Sequence, residues 1–471
     1  MPHFSRPAPI GGWNTVSPLE SMPETDAVTL ENWLPRGGYC ETAPGYTTQS
    51  TVGATTILTL AAFEHPTTPI LLAASATAIY NGIAGGAALL AGQTNGYWQT
   101  TMANNRLLLV NGADTAQSYT QAGGFVALAF VGAPAGAPFV NLCLYKGRMF
   151  YWQADSSSAY YCGAGAYQGA VTALPFDMLA SGSLVNMFQW TMDGGSGVDD
   201  VAVFVFETGD VLVYSGDDPA AATWSLIGKF KIGRPLGYRA VTQLAGSAII
   251  MTTDGYVDIT TLLREGAVTD LNAYSAKIQT AAREAAFAFV NDRESACVYW
   301  PKEGLFIANV PLTGSTHEQH VRNTVTGAWC KLTAYASNCL CVFEGLLYFG
   351  TASGKVNVLT TTGQVTPAMT CTAVPAFTNC GLVGQAKQLT AVQINSDCAT
   401  PELWAIDGMA DSNVAYTMTP VVIATSAAAQ SNQWLQVSAY GQTVTVSVRG
   451  IPDRRVRWYS TGYLLRTGGV L

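Results

Sequence analysis

The sequence predicts an all-β chain: a β-propeller-like domain of about six to eight blades joined to a smaller antiparallel β platform, with one amphipathic helix near residues 270–289. Three observations lead there: a hairpin pattern that returns at a steady period, a change of texture after Gly363, and a single segment with helical periodicity. The recurring unit is a β-branched or aromatic run, a turn with Gly, Asp or Asn, and a second run. It reads PILLAASATAIYNG (69–82), RLLLVNGADTAQSY (106–119), RMFYWQADSSSAYYCG (148–163), VAVFVFETGDVLVYSG (201–216), SAIIMTTDGYVDIT (247–260), SACVYWPKEGLFIANV (295–310) and LLYFGTASGKVNVL (346–359). Equivalent positions Tyr80, Tyr119, Tyr160, Val213, Val257, Ile307 and Val358 lie 39 to 53 residues apart, the period of a four-stranded propeller blade. A large β-sandwich or a set of Greek keys also fits this pattern.

The helical segment runs from Asp270 to Phe289, with Ile278, Ala281, Ala282, Ala285 and Phe289 on one face and Lys277, Arg283 and Glu284 elsewhere. Ser275 is its expected N-cap. After Gly363 the chain turns to Thr-, Ala- and Cys-rich strands at 387–396, 413–425, 433–450 and 454–466. The expected division is an extended N-terminal segment (1–60) packing on the platform, a propeller-like domain (61–363) and a platform domain (364–471). Within the first segment, Gly11-Gly12, Pro18, Pro23, Pro35, Gly37-Gly38 and Pro44-Gly45 interrupt any helix, and Trp13, Leu30, Trp33, Leu34 and Tyr46 are the expected anchors.

Charged residues make up 11% of the chain, where roughly 25% is usual, which leaves surfaces that other subunits can cover. The formal net charge of −8 argues against a surface that grips nucleic acid through its phosphates. The ten cysteines, at 40, 143, 162, 297, 330, 339, 341, 371, 380 and 398, show no C-x-x-C pair, so reduced, buried thiols are expected. MPHFSRPAPIGGW lacks the apolar core of a signal peptide and no run is long enough to span a membrane, which predicts assembly in the cytoplasm.

Motifs with chemistry are scarce, and no catalytic, cofactor-binding or metal-binding residue is predicted. His317-x-x-His320 with Glu318 has two possible ligands, but Gly314 points to a loop and no third ligand follows at a metal-site spacing. SGDDPAAATW (Ser215 to Trp224) approaches the aspartate box of sialidase-type propellers, yet Pro219 stands where that box has glycine and the tryptophan comes late. Asp199-Asp200 and Asp217-Asp218 are adjacent, which in a strand sends them to opposite faces and suits turns and caps rather than paired acid and base. Arg454, Arg455 and Arg457 beside Trp458 read as partners for acidic residues of a neighbouring subunit, or as charges that keep an edge strand soluble.

One stretch carries more. GGWNTVSPLESMPETDAVTLENWLPRGGYCETAPGY (Gly11 to Tyr46), with its GG-x-N-T, D-A-V-T-L-E-N-W-x-P-R and closing P-G-Y, resembles the N-terminus of the tail nozzle proteins of short-tailed bacteriophages. Further likenesses follow in order: VLVYSGDDPAAATWSLIGKFKIGRPLGYRAV (211–241), Thr253-Asp254-Gly255, YSAKIQTAAREAAFAF (274–289), WPKEGLFIANVP (300–311), NTVTGAWCKLTAY (323–335) and LLYFGTASGKV (346–356). Beyond Lys387 the likeness rests on strand patterning. The resemblance implies a propeller-like domain on a β platform and a structural, non-enzymatic role without cofactor. The expected assembly is a hexameric ring at the distal end of the tail, in contact with the adaptor ring and with fibres or needle, holding genomic DNA in its lumen without sequence-specific binding. The alternative is a carbohydrate-recognising propeller of a tail fibre or spike.

Overall fold

In the computed structural model the described residues are 3–53, 55–134, 138–193, 198–244, 246–288, 295–312, 317–360, 363–397, 403–412, 421–424 and 434–470. Seven blades built on antiparallel hairpins follow one another along the chain, the sixth as part of a larger sheet. Their innermost strands are Thr59–Phe63, Gln99–Ala103, Phe139–Tyr145, Leu184–Asp193, Val241–Leu244, Ala296–Trp300 and Cys339–Phe343. In six blades the hairpins legible in the sequence are the second and third strands. In blade 6 the hairpin at 295–310 is the first and second, Ala296–Trp300 and Leu305–Pro311.

Each blade buries both faces against its neighbours, and the apolar clusters step around the ring. Phe63 and Leu72 of blade 1 meet Trp98 and Leu107 of blade 2. Leu108 of blade 2 meets Met149 and Tyr151 of blade 3. Phe150 and Trp152 meet Phe204 and Leu212, Val203 and Val211 meet Ile250 and Val257, and Tyr348 and Val356 of blade 7 meet Leu60 and Leu71 of blade 1. Burying a side chain of this size contributes about 1.5–3 kcal/mol, so the middle strands are the most apolar and give the clearest sequence signal.

The ring is closed by the N-terminal segment. Tyr46–Thr51 forms the outermost strand of blade 7, antiparallel to Lys355–Leu359, with Tyr46 opposite Leu359 and Thr51 opposite Lys355. The boundary expected at residue 60 therefore moves: residues 46–51 belong to the propeller, and its first blade begins at Thr59. Hydrophobic patterning could not place this strand because its side chains are mostly exposed. Its Tyr46 is only half-buried, edge-on to Phe349, whereas Trp13, Leu30, Trp33 and Leu34 are buried.

The platform is a sandwich of two sheets. One contains Leu435–Gly441, Gln385–Asp397, Arg457–Val470, Cys40–Thr42 and Trp33–Pro35, with His3–Pro7 also paired to the long C-terminal strand. The other is continuous with blade 6: ten strands run from Ala296–Trp300 through Trp329–Leu332, Gly12–Trp13, Asp26–Glu31 and Cys371–Pro375 to Val421–Ala424. Trp33 sits between the sheets in a short strand rather than in irregular chain, 1% exposed, its ring 5.2 Å from Trp404 and 5.6 Å from Trp458. Of the predicted C-terminal strands, residues 413–420, 425 and 433 lie outside the described residues.

Two helices follow blade 5, where a single four-turn helix was expected. α1 (Ile259–Glu265) begins at Asp258, whose carboxylate accepts from the Thr260 amide at 2.8 Å. α2 is only Gln279–Ala288, preceded by a 3₁₀ turn at Ala276–Ile278, and it buries Ile278, Ala282 and Ala286. The residues before it serve the free edge of blade 5: the Tyr274 amide donates to the Tyr256 carbonyl at 2.9 Å, and the Ser275 hydroxyl accepts from the Tyr256 amide instead of capping the helix. Phe289 lies outside the described residues.

At the crossing from blade 6 to platform, Gly12 pairs in parallel with Trp329 on one side and Asp26 on the other. Its φ is +88°, and a Cβ there would stand 2.5 Å from the Trp329 amide nitrogen. Beside it Asp26, fully buried, accepts from Lys277 Nζ at 2.8 Å and Asn14 Nδ2 at 2.8 Å. An alanine methyl at Gly12 would collide with the Trp329 backbone and force the paired strands apart. Gly12→Ala should therefore lower the unfolding midpoint strongly and split the melt into separate platform and propeller transitions. Calorimetry of the two proteins checks this, a single unshifted transition being the contrary result.

Candidate functional site: the propeller axis

The innermost strands of all seven blades surround a cavity of about 450 Å³. Its wall includes Thr59, Gln99, Asn141, Phe188, Gln243 and Val298, one from each of blades 1 to 6, with Leu340 from blade 7. Arg239 crosses this space. It precedes the first strand of blade 5, and its guanidinium donates to the Leu58 carbonyl at 2.8 Å, to the Thr59 hydroxyl and to the Trp98 carbonyl at 3.1 Å. In a seven-membered ring blades 1 and 2 lie opposite blade 5, so these bonds span the axis. Tyr97 stacks on the cation at 5.6 Å.

The side chains at the same level cross-link adjacent blades. Asn186 Nδ2 donates to the Gly237 carbonyl at 2.9 Å, Asn141 Nδ2 to the Val185 carbonyl at 3.3 Å, and the Cys297 amide to the Arg239 carbonyl at 3.1 Å. The axis is thus stoppered by one arginine and braced by amides. A volume near 450 Å³ suits a small molecule, not a nucleic acid. The sequence carried no local signal for this role, because Leu58, Thr59 and Trp98, to which the Arg239 guanidinium donates, lie more than 140 residues away.

Residues singled out by the sequence have structural work. His317, Glu318 and His320 lie on a strand, His317–Asn323, not in a loop. His320 is fully buried, its Nδ1 2.8 Å from the Tyr256 hydroxyl and its Nε2 3.1 Å from Glu318, which also pairs with Lys331. Burial alone would raise the Glu318 carboxyl, but His320 and Lys331 outweigh it and hold it below its ordinary value. Among the described residues no group of three His, Cys, Asp or Glu side chains is placed to hold a metal.

The loop from Gly216 to Trp224 ties blade 4 to blade 3. Tyr145 donates to the Gly216 carbonyl at 2.6 Å, Asp218 pairs with Arg148, and Trp224 stacks on Tyr214 at 5.1 Å. Asp200 accepts from Gln189 and Thr191 on the adjacent strand. The basic cluster expected to meet another subunit is partly consumed within the chain. Arg455 and Arg36 converge on the buried carboxylate of Glu41 at 3.0 and 2.8 Å, with Arg457 at 4.0 Å, and Trp458 belongs to the core. Arg36 also binds Glu303 of blade 6 at 2.6 Å, a second tie between platform and propeller.

No family model and no curated protein matches this chain. Among solved structures it is similar to the WD40 β-propeller domain of Doa1, with TM-score 0.43 and 11% identity over 68% of this chain and 97% of that one. It is also similar to YCF48 bound to D1 peptide, with TM-score 0.41 and 10% identity over 72% and 99%. The fold assignment rests on the chain's own sheets.

Nine cysteines are described and all are free thiols; Cys398 lies outside the described residues. Three of them, Cys297, Cys339 and Cys341, line the axial cavity. Burial pushes Cys339 up to about 11 and Cys341 and Cys143 to about 12. At pH 8 a thiol of pKa 11 is ionised in about one molecule in a thousand, and the thiolate is the reactive form. Iodoacetamide at pH 8 should therefore leave Cys143, Cys339 and Cys341 unmodified in the native protein and label them fully in denaturant, which peptide mass spectrometry reads directly.

Proposed function

We propose that this chain forms the nozzle ring at the distal end of a short phage tail, in six copies, retaining genomic DNA and conducting it during ejection. The observation that carries the reading is where the signature residues fall. Gly11, Gly12, Trp13, Asn14 and Asp26, the start of the stretch resembling tail nozzle proteins, build the crossing between propeller and platform, the two-part architecture that the resemblance implies. Their roles are packing and backbone geometry, as suits a component that bears load and performs no chemistry.

Arg239 spans the propeller axis. DNA would travel between copies, through the lumen of the ring, while each propeller serves as a solid wall element. A chain with net charge −8 offers phosphates little purchase, so DNA would move along that wall without sequence-specific binding. The adaptor ring would hold one end of the assembly and fibres or needle the other.

A second reading, a carbohydrate-recognising propeller of a fibre or spike, draws on the uncharged polar groups Gln99, Thr100, Asn141 and Asn186 around the axial cavity. Class averages of the purified, assembled protein separate the two. Six-fold symmetry with a central opening supports the nozzle; a three-fold particle without one supports the fibre or spike.

Trp33→Ala removes a side chain buried between two other indoles, a change that typically costs about 3–5 kcal/mol. Phage carrying it should yield particles without tail tips, or particles that leak DNA, measured by particle composition and DNA retention. Intact, full, correctly tipped virions would count against this role for the platform core.

A further inference from the structure

Among the described residues, blade 4 alone ends in a long, charged strand with a free edge. Blade 1 ends in two residues, Leu90–Ala91, blade 2 in four, Gly124–Ala127, and blade 3 in two, Phe130–Val131. Tyr274 and Ser275 cover the edge of blade 5, blade 6 runs on into the platform, and the closing strand of blade 7, YTTQST, carries no charge. Blade 4 ends instead in seven residues, Ser225–Lys231 (SLIGKFK). This strand lies antiparallel to Asp210–Ser215 and, among the described residues, pairs with nothing on its far side.

The register shows which backbone groups face outward. The Ile232 amide donates to the Gly209 carbonyl at 2.9 Å, a bond that flanks the Asp210–Lys231 pair. In an antiparallel ladder a pair flanked in this way exchanges no hydrogen bonds of its own, and the pattern alternates along the strand. The N–H and C=O of Lys231 and of Lys229 therefore point away from the blade, whereas those of Phe230 close the ladder with Val211. Both outward residues are lysines. Lys231 pairs with Asp210 at 3.1 Å, but Lys229 Nζ donates to the Leu179 carbonyl at 2.6 Å and, among the described residues, is in no ion pair. Apolar surface lies close by: Leu226 and Ile227 are 38% and 48% exposed, and Met178, next to Leu179, is 95% exposed.

We propose that the outer strand of blade 4 is a docking edge for an extended, acidic segment of another protein, which adds to the sheet as a further strand. The outward backbone groups of Lys229 and Lys231 supply the hydrogen bonds, as free sheet edges do when they bind peptides. Acidic residues at alternate positions of the incoming strand lie opposite the two lysines, where opposite charges on facing strands attract. The same lysines oppose a second copy of this edge, because lysine on an edge strand guards against pairing with a like strand. An apolar side chain farther along the incoming strand covers Leu226 and Ile227.

The test titrates the full chain with a blocked synthetic hexapeptide of alternating valine and glutamate, followed by calorimetry and by hydrogen exchange. Binding should protect the Lys229 and Lys231 amides, which are otherwise open to solvent. The matching peptide of valine and lysine should bind at least about tenfold more weakly, as should the acidic peptide methylated on its glutamate amide nitrogens, which would face the blade. These arms need no variant. Lys229→Pro removes an outward N–H and no ladder bond, so this variant should melt as the parent does and lose most of the affinity. No binding, or equal affinity for the acidic and basic peptides, would overturn the proposal, as would binding that methylation leaves unchanged or that protects other amides instead. A parent protein that sediments as an oligomer, beside a Lys229→Pro variant that does not, would overturn it by giving the edge to a second copy.

Discussion

The structure depends on a place where three backbones lie too close for any side chain. Gly12 runs between the Trp329 and Asp26 strands, and through it one hydrogen-bonded sheet passes from the innermost strand of blade 6 into the platform. Because the sheet is continuous, blade and platform share backbone hydrogen bonds in place of a surface contact. The buried Asp26 carboxylate, with Lys277 and Asn14, fixes the same spot electrostatically and brings the turn before α2 into register with it. Farther out, Arg36 repeats the tie by reaching from the platform's Glu41 to Glu303 of blade 6.

The middle of each blade was legible in the sequence because both its faces are buried, so that strands such as Val201 to Phe206 and Val211 to Val213 are written as apolar runs. Blade 6 broke the pattern for a physical reason. Its third strand, HEQHVRN, is polar in sequence although mostly buried, so the apolar signal falls on the first two strands. The closing strand, YTTQST, buries almost nothing and looks like a polar connector; its place is set by its partner Lys355–Leu359, roughly 300 residues away, where no local pattern reaches. The helix was overextended because Asp270 to Ser275 carries suitable residues whose hydrogen bonds are claimed by the edge of blade 5.

The axial site was not legible at all. Arg239 sits in PLGYRAV, a stretch without charge patterning, and becomes central only when blades 1, 2 and 5 surround it. The motifs that did stand out, the two histidines, the aspartate pairs and the basic cluster, resolve into strand cross-links, loop ties and a buried carboxylate network. Chemistry-bearing residue types in this chain are spent on holding sheets together, in keeping with a protein whose charged residues are few.

Closure of blade 7 by residues 46–51 imposes an order on biosynthesis. The strand leaves the ribosome early, yet its partner at Lys355–Leu359 follows only after some 300 further residues. At about 5–20 residues per second the first strand waits roughly 15–60 s with its hydrogen-bonding edge unpaired. The ring therefore shuts after six blades and most of the seventh have been made, through a contact of very long sequence separation, the slowest class to form. Any contact that draws on the closed ring has to wait until this single polar strand has paired.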